Sequence, residues 1–293
     1  MFRTRFWGVR GSIACPNNKY MKYGGNTSCV SVECGADLII FDTGSGIRSL
    51  GNYMLEEKIN KASIMFSHTH WDHINGFPFF KPAYTSGTEL SVFCGNLGES
   101  DTKIFDVLSN QMKNPTFPVS IDIMQASISY NDFQAGETFF LSDEIEIQTA
   151  PLNHPKGATG YRVNYLGNSV CYVTDTEHTI DKPDENILNL IANADLVIYD
   201  ATYTDAEYPK FKGWGHSTWQ EGVRLCTKAG VKKMAIFHHD PSHDDDFLNE
   251  IAKEAKTMWD GSFIATEGEE ISFKKNDTEN SSDIIFSKFD NSC

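Results

Sequence analysis

Apolar runs of strand length recur along this chain, and each stops at a residue with chemistry. LIIF ends at Asp42, IMFS at His68, IEIQTAPLN at His154, CYVT at Asp175, LVIY at Asp200 and MAIF at His238. The stretches around them, ADLIIFDTG, KASIMFSH, EIEIQTAP, NSVCYVTDT, ADLVIYDAT and KKMAIFHHD, are rich in Ile, Val and Phe and read as largely buried strands. In α/β sheets ligands gather outside the carboxyl ends of the strands, so segments far apart in sequence can meet at one cavity. A single strand-end aspartate is more often a turn former, and His154 alone, beside Pro155 and Gly157, reads as a loop residue. The joint pattern is what carries weight.

Between the strands, GIRSLGNYMLEEKIN, SDTKIFDVLSNQM, ENILNLIANA, STWQEGVRLCTKAG and DDFLNEIAKEAKTMW space their apolar residues at helical intervals. In the fourth, Trp219, Val223 and Cys226 form a stripe, Ser217 and Gln220 suggest a capping box, and Gly230 marks the stop. Strands with helices between them predict sheets covered by helices, an α/β class.

The stretch SHTHWDHING, residues 67 to 76, places three of the nine histidines and an aspartate within His68 to His73. Imidazole and carboxylate are the ligand set of borderline cations such as zinc. In an extended loop His68 and His70 point the same way, whereas Asp72 and His73, past a turn, can face a second point. One loop therefore offers part of the ligand shell of two neighbouring metals.

Composition bounds the setting. With 293 residues, 40% of them hydrophobic, the chain can bury a large core. No break in composition marks a boundary, so one domain is expected over residues 1–273, followed by a polar tail at 274–293 that is either loose or docked through its IIF. The opening MFRTRFWGVRGSIAC lacks the apolar core of a signal peptide and no run is long enough to span a bilayer, which predicts a cytoplasmic protein without a membrane partner. Seven cysteines at irregular spacing, without CxxC, argue against a disulfide framework and a cysteine zinc knuckle. The net charge of −15 disfavours a long polyanion as partner, while a short anion held by metal remains compatible. A homodimer is also compatible with this composition.

Taken together, His68-Thr-His70-Trp-Asp72-His73, His154, Asp175 and His238 resemble the ordered motif series of the metallo-β-lactamase superfamily over nearly the whole chain, and FDTGSG around Asp42 resembles its first motif. The resemblance implies an αββα sandwich, two mixed β-sheets face to face with helices on the outer faces. It also implies two divalent metal ions, zinc by preference with manganese or iron as options. His68, His70 and His154 would hold one, Asp72, His73 and His238 the other, with Asp175 between them and Asp42 orienting a ligand from behind.

Where the true β-lactamases of this superfamily carry a cysteine, this chain has Asp175, so antibiotic hydrolysis is not expected. GWGHSTWQEG and YDATY, with His216 and Asp200, resemble the histidine loop and acidic strand end of the tRNA 3′-processing endonucleases and the small cyclic-nucleotide and phosphonate-pathway phosphodiesterases; WGVRGS and YGGNTSCVSV fit the same group. Asp72, His216 and Asp200 are thus the catalytic candidates. The interval between His154 and Asp175 is too short for the protruding arm of the tRNA enzymes, enough only for a turn and a strand. The resemblance then favours hydrolysis of a small phosphodiester such as a 3′,5′-cyclic nucleotide by a metal-bridging hydroxide. RNA 3′ processing and thioester or lactone hydrolysis are the alternatives, and a nucleotide-sensing binder is a more distant one. Phe117, in the proline-bearing stretch QMKNPTFPVSIDIM, is a candidate to stack on a base; it can equally plug apolar surface. Of the remaining histidines, His239 should face away from His238, and His243 should belong to a solvated helix start.

Overall fold

The structure is a computed structural model and describes residues 1–97, 102–275 and 282–289. Its strands are β1 (Phe2–Gly8), β2 (Cys29–Cys34), β3 (Asp37–Phe41), β4 (Lys61–Phe66), β5 (Glu89–Cys94), β6 (Ser127–Asp132), β7 (Thr138–Ser142), β8 (Ile145–Leu152), β9 (Ala158–Tyr165), β10 (Asn168–Val173), β11 (Leu196–Asp200), β12 (Lys233–Phe237), β13 (Ser262–Ile264), β14 (Glu269–Lys275) and β15 (Ser282–Lys288). The helices are α1 (Ile47–Glu56), α2 (Trp71–Ile74), α3 (Ile104–Gln111), α4 (Glu185–Ile191), α5 (Tyr208–Phe211), α6 (Trp219–Lys228) and α7 (Asp245–Met258).

Two mixed sheets form. One runs β15-β14-β1-β2-β3-β4-β5-β6 and the other β13-β12-β11-β10-β9-β8-β7. Within them β3 to β6 and β10 to β13 are parallel stretches. Parallel strands covered on both faces should be apolar throughout rather than alternating. β10, NSVCYV, is buried at every position, whereas the edge strand β6 alternates exposed and half-buried residues.

Phe6, Phe41, Met65, Tyr161, Tyr172, Ile198 and Phe237 fill the space between the sheets. Helices α4, α6 and α7 contribute Leu190, Val223 and Ile251 to a layer outside the second sheet, and α1 and α3 contribute Leu50 and Leu108 outside the first. The αββα sandwich expected from sequence is the fold observed. Among the described residues no helix is long and apolar enough to cross a membrane, and the six described cysteines are free, five of them buried.

The structure corrects two local readings. The boundary expected at 273 falls inside β14, which runs on to Lys275, and Ser282–Lys288 pairs antiparallel with all of β14 as the edge strand β15, so of the two options for segment 274–293 its described residues take the docked one. Its IIF docks: Ile284 packs against the intersheet core and Phe286 lies 4.9 Å from Phe263, ring to ring. The cap of α6 is Thr218, whose side chain accepts from Glu221 N, because the Ser217 hydroxyl is engaged by His178 and Tyr199 instead.

Candidate active site at the sheet ends

The carboxyl ends of β3, β4, β8, β10, β11 and β12 meet at one edge of the sandwich. There Asp42, Asp175 and His238 take left-handed backbone angles, with φ of 57°, 57° and 61°. Such a conformation costs a non-glycine residue of order 1–3 kcal/mol. Each of these residues leaves its strand abruptly and turns a side chain into the site.

Hydrogen bonds behind the histidines fix which ring nitrogen faces inward. His73 Nδ1 lies 2.7 Å from Asp42 Oδ2, an acceptor, so Nδ1 carries the proton. His154 Nδ1 likewise donates to the Gly215 carbonyl at 2.7 Å. Ser67 Oγ donates to Asp42 Oδ2 and therefore accepts from His68 Nδ1 at 3.1 Å. Thr202 Oγ1 donates to Asp200 Oδ1 and accepts from His238 Nδ1 at 3.0 Å. Four rings thus turn Nε2 into a shared space, the arrangement that readies imidazoles for a metal. His68 Nε2 is buried and finds no hydrogen-bond partner, a cost that a cation at this point would remove.

Those nitrogens and the carboxylates form two triads, His68-His70-His154 and Asp72-His73-His238, each with ligand atoms within 4.8 Å of one another. Asp175 stands between them. Its Oδ1 is 3.7 Å from the Nε2 atoms of both His68 and His154, and its Oδ2 is 3.2 Å from His73 Nε2 and 3.3 Å from His238 Nε2. Each carboxylate oxygen faces one triad, and the set suits a dinuclear centre.

Electrostatics agree. Burial alone would raise Asp175, yet His238, His73 and His68 hold it well below the usual carboxylate range; burial and then His73 act the same way on Asp72. His73 is opposed by burial, but Asp72, Asp175 and Asp42 around it prevail and raise it well above the ordinary histidine value. Away from that carboxylate cage, burial and then His73 depress His68. Ionised carboxylates beside a neutral His68 are the protonation states in which such groups can take a cation.

His216 and Asp200 lie on the flank of this set. His216 Nδ1 is 3.1 Å from Asp200 Oδ2 and 3.7 Å from Asp175 Oδ1, and its ring stacks on His238 with centroids 5.0 Å apart. Burial disfavours its charge, but Asp200 outweighs burial and lifts it to about 9. Asp200 is buried and held by Thr176 N and Thr202 as well. The structure thus brings together Asp42, His68, His70, Asp72, His73, His154, Asp175, Asp200, His216 and His238.

Other residues fall elsewhere. Phe117 is half-buried and meets Phe79 edge-on at 5.8 Å. His239 faces away as expected, its Nε2 donating to the Ala265 carbonyl. His243 departs from expectation: it is buried and paired with Glu207 at 2.8 Å, while Asp244 caps α7 alone. His178 lies behind Ser217, stacked on Tyr208 at 4.1 Å. The short interval between His154 and Asp175 holds two strands, β9 and β10, one more than its length suggested.

Two contributions escaped the sequence reading. Gly11 must be glycine because a Cβ there would stand 2.4 Å from the His238 ring, and Ser12 N then donates to Asp72 Oδ2 at 2.7 Å. Gly215, with φ of 87°, would place a Cβ 2.3 Å from His154 Nδ1.

A family model described as beta-lactamase superfamily domain matches residues 38–239. A curated relative from Picrophilus torridus, named ribonuclease Z, is 24% identical over 94% of this chain and 96% of its own length. Among solved structures, the short form of human tRNase Z superposes with a TM-score of 0.66 at 17% identity, covering 92% of this chain and 98% of that one. A diphosphatase of the PhnP family superposes with a TM-score of 0.67 at 19% identity, covering 94% and 98%.

Proposed function

The chain belongs to the beta-lactamase superfamily, and on that premise we propose that it is a metal-dependent hydrolase of phosphodiesters that acts on RNA. The observation that carries this reading is the His216–Asp200 pair, 3.1 Å apart on the flank of the two triads. Breaking a phosphodiester expels an alkoxide, which needs a proton; thioester hydrolysis does not. RNA takes precedence over smaller phosphodiesters because relatives matching nearly the whole chain are named ribonuclease Z. Those relatives weigh against the expectation that a long nucleic acid is unsuitable.

In this reading His68, His70 and His154 hold one divalent cation, Asp72, His73 and His238 hold a second, and Asp175 serves both. The nitrogen and oxygen donor set accommodates zinc, manganese or iron. Bound there, such cations supply Lewis acidity to the reacting phosphate and its water nucleophile. Asp42 keeps His73 in the correct tautomer. Asp200 orients His216, whose imidazolium gives its proton to the departing oxygen.

A second reading keeps the same chemistry on 3′,5′-cyclic nucleotides. It is favoured by the net charge of −15 and by the compact β9–β10 hairpin. Specificity constants of metal-loaded protein for precursor tRNA and for cyclic nucleotides decide between them. A higher constant for the RNA upholds the first reading, the reverse establishes the second, and turnover of neither removes both.

A further inference from the structure

His154 opens a tight turn, His154-Pro155-Lys156-Gly157, closed by a hydrogen bond of 2.7 Å from Gly157 N to the His154 carbonyl. Proline second and a left-handed residue third is the type II pattern, and the third position favours glycine. Here it is Lys156, with φ of 68°. The backbone gains nothing from a side chain at this point. Lys156 is exposed and makes no ion pair or hydrogen bond among the described residues, so packing does not explain it either.

Lys156 lines a cleft of about 780 Å³ together with Thr69, Asn96, Gln134, Pro151 and Leu152. Thr69 lies between His68 and His70, and Lys156 lies two residues after His154, so the cleft starts directly beside the first triad. Among the described residues that line it, Lys156 is the one charged side chain. Arg3, Arg5, Lys61, Arg224, Lys232, Lys253 and Lys256 each pair with a carboxylate, and Lys156 does not. An unpaired cation held at backbone cost beside a phosphodiester-cleaving site is placed to meet an anion.

We propose that Lys156 binds a non-scissile phosphate of the substrate, the one adjacent to the phosphate under attack, while the cleft holds the nucleotide between them. The inference rests on the phosphodiester reading and narrows it. The substrate carries at least two successive phosphodiesters, as a linear oligonucleotide does and a cyclic mononucleotide does not.

The test compares wild type with Lys156→Gly and Lys156→Arg, all metal-loaded. Binding of a fluorescein-labelled RNA trimer with methylenephosphonate linkages, which keep the charge but leave no ester oxygen to expel, is followed by anisotropy at rising salt. Lys156→Gly should weaken binding several-fold and make the slope of log K against log salt shallower by about 0.7, the value for one lost contact to a single strand. Lys156→Arg should retain both affinity and slope. The thermal midpoint of Lys156→Gly should stay equal or rise, since glycine accepts this backbone angle freely. That opposition of signs separates a lost ligand contact from a damaged fold. Hydrolysis of bis(p-nitrophenyl) phosphate, which has a single phosphate, should be unchanged. Unaltered trimer affinity and slope in Lys156→Gly, or an equal loss on both substrates, would overturn the assignment. The binding arm reads Lys156 whether or not turnover occurs, whereas failure of wild type to hydrolyse any phosphodiester counts against the proposed activity.

Discussion

Tyr172 in β10 donates its phenolic hydrogen to Asp42 Oδ2 across the sandwich, at 2.8 Å. The same oxygen accepts from His73 and from Ser67, so one carboxylate fastens the second sheet to the site-bearing end of the first. Tyr172→Phe should destabilise the protein by about 1.5–3 kcal/mol, as for a hydrogen bond to a charged group, with activity largely kept. Asp42→Ala should in addition weaken metal affinity by roughly 10–100-fold, the usual effect of removing such a support. Chemical denaturation and chelator competition on both variants check this.

Metal content should be two equivalents per chain. His70 is exposed, unlike the other histidines of the triads, so His70→Ala should lose tightly bound metal and activity while its far-ultraviolet circular dichroism is unchanged. A fully active preparation with a single tightly bound equivalent would contradict the two-triad scheme.

His216 should matter in proportion to how poor the leaving group is. For an RNA or cyclic nucleotide substrate, His216→Ala should slow kcat by roughly 10² to 10⁴, the span for a general acid. For a p-nitrophenyl diester, whose phenolate departs unaided, the loss should be much smaller, and Asp200→Asn should follow the same order more weakly. Equal losses on both substrates with metals retained would make His216 a binding residue.

Stability should also respond to pH through Glu269. Burial raises this carboxyl to about 7, Lys288 opposing only in part, and its Oε2 is buried without a partner. The folded value exceeds the unfolded one of about 4.3, so the neutral form is favoured on folding. That contribution is complete below the unfolded value and is lost as pH rises through 7. Glu269→Gln, neutral throughout, should match wild type near pH 4 and exceed it at pH 8. Urea midpoints at the two pH values test the sign.

The strand ends were legible because buried parallel strands are written as unbroken apolar runs, and their chemistry follows directly. Asp42, His68, Asp175, Asp200 and His238 could each be placed at one sheet edge for that reason. Strands at sheet edges were less legible: β6 and β7 alternate, and β15 is partly polar and hides within what composition marks as a tail. The buried pairing of His243 with Glu207 and the cap at Thr218 depend on neighbours distant in sequence or on a competing hydrogen bond. Lys156 left no mark in periodicity or composition. Its backbone angle is shared by Lys58, so its place in the cleft beside the first triad is what singles it out, and the Pro-Lys-Gly spelling of the turn was the one hint available.

Left-handed angles at Asp42, Asp175 and His238 have a bearing on the life of the protein in a cell. A chain that folds with three contorted strand ends around close-set imidazoles and carboxylates gains stability when something binds those groups in the folded form alone. If the centre takes up metal as proposed, cation supply governs how many copies escape proteolysis as well as how fast each one works. Starvation for the cation would then register first as a fall in steady-state protein level, with message unchanged.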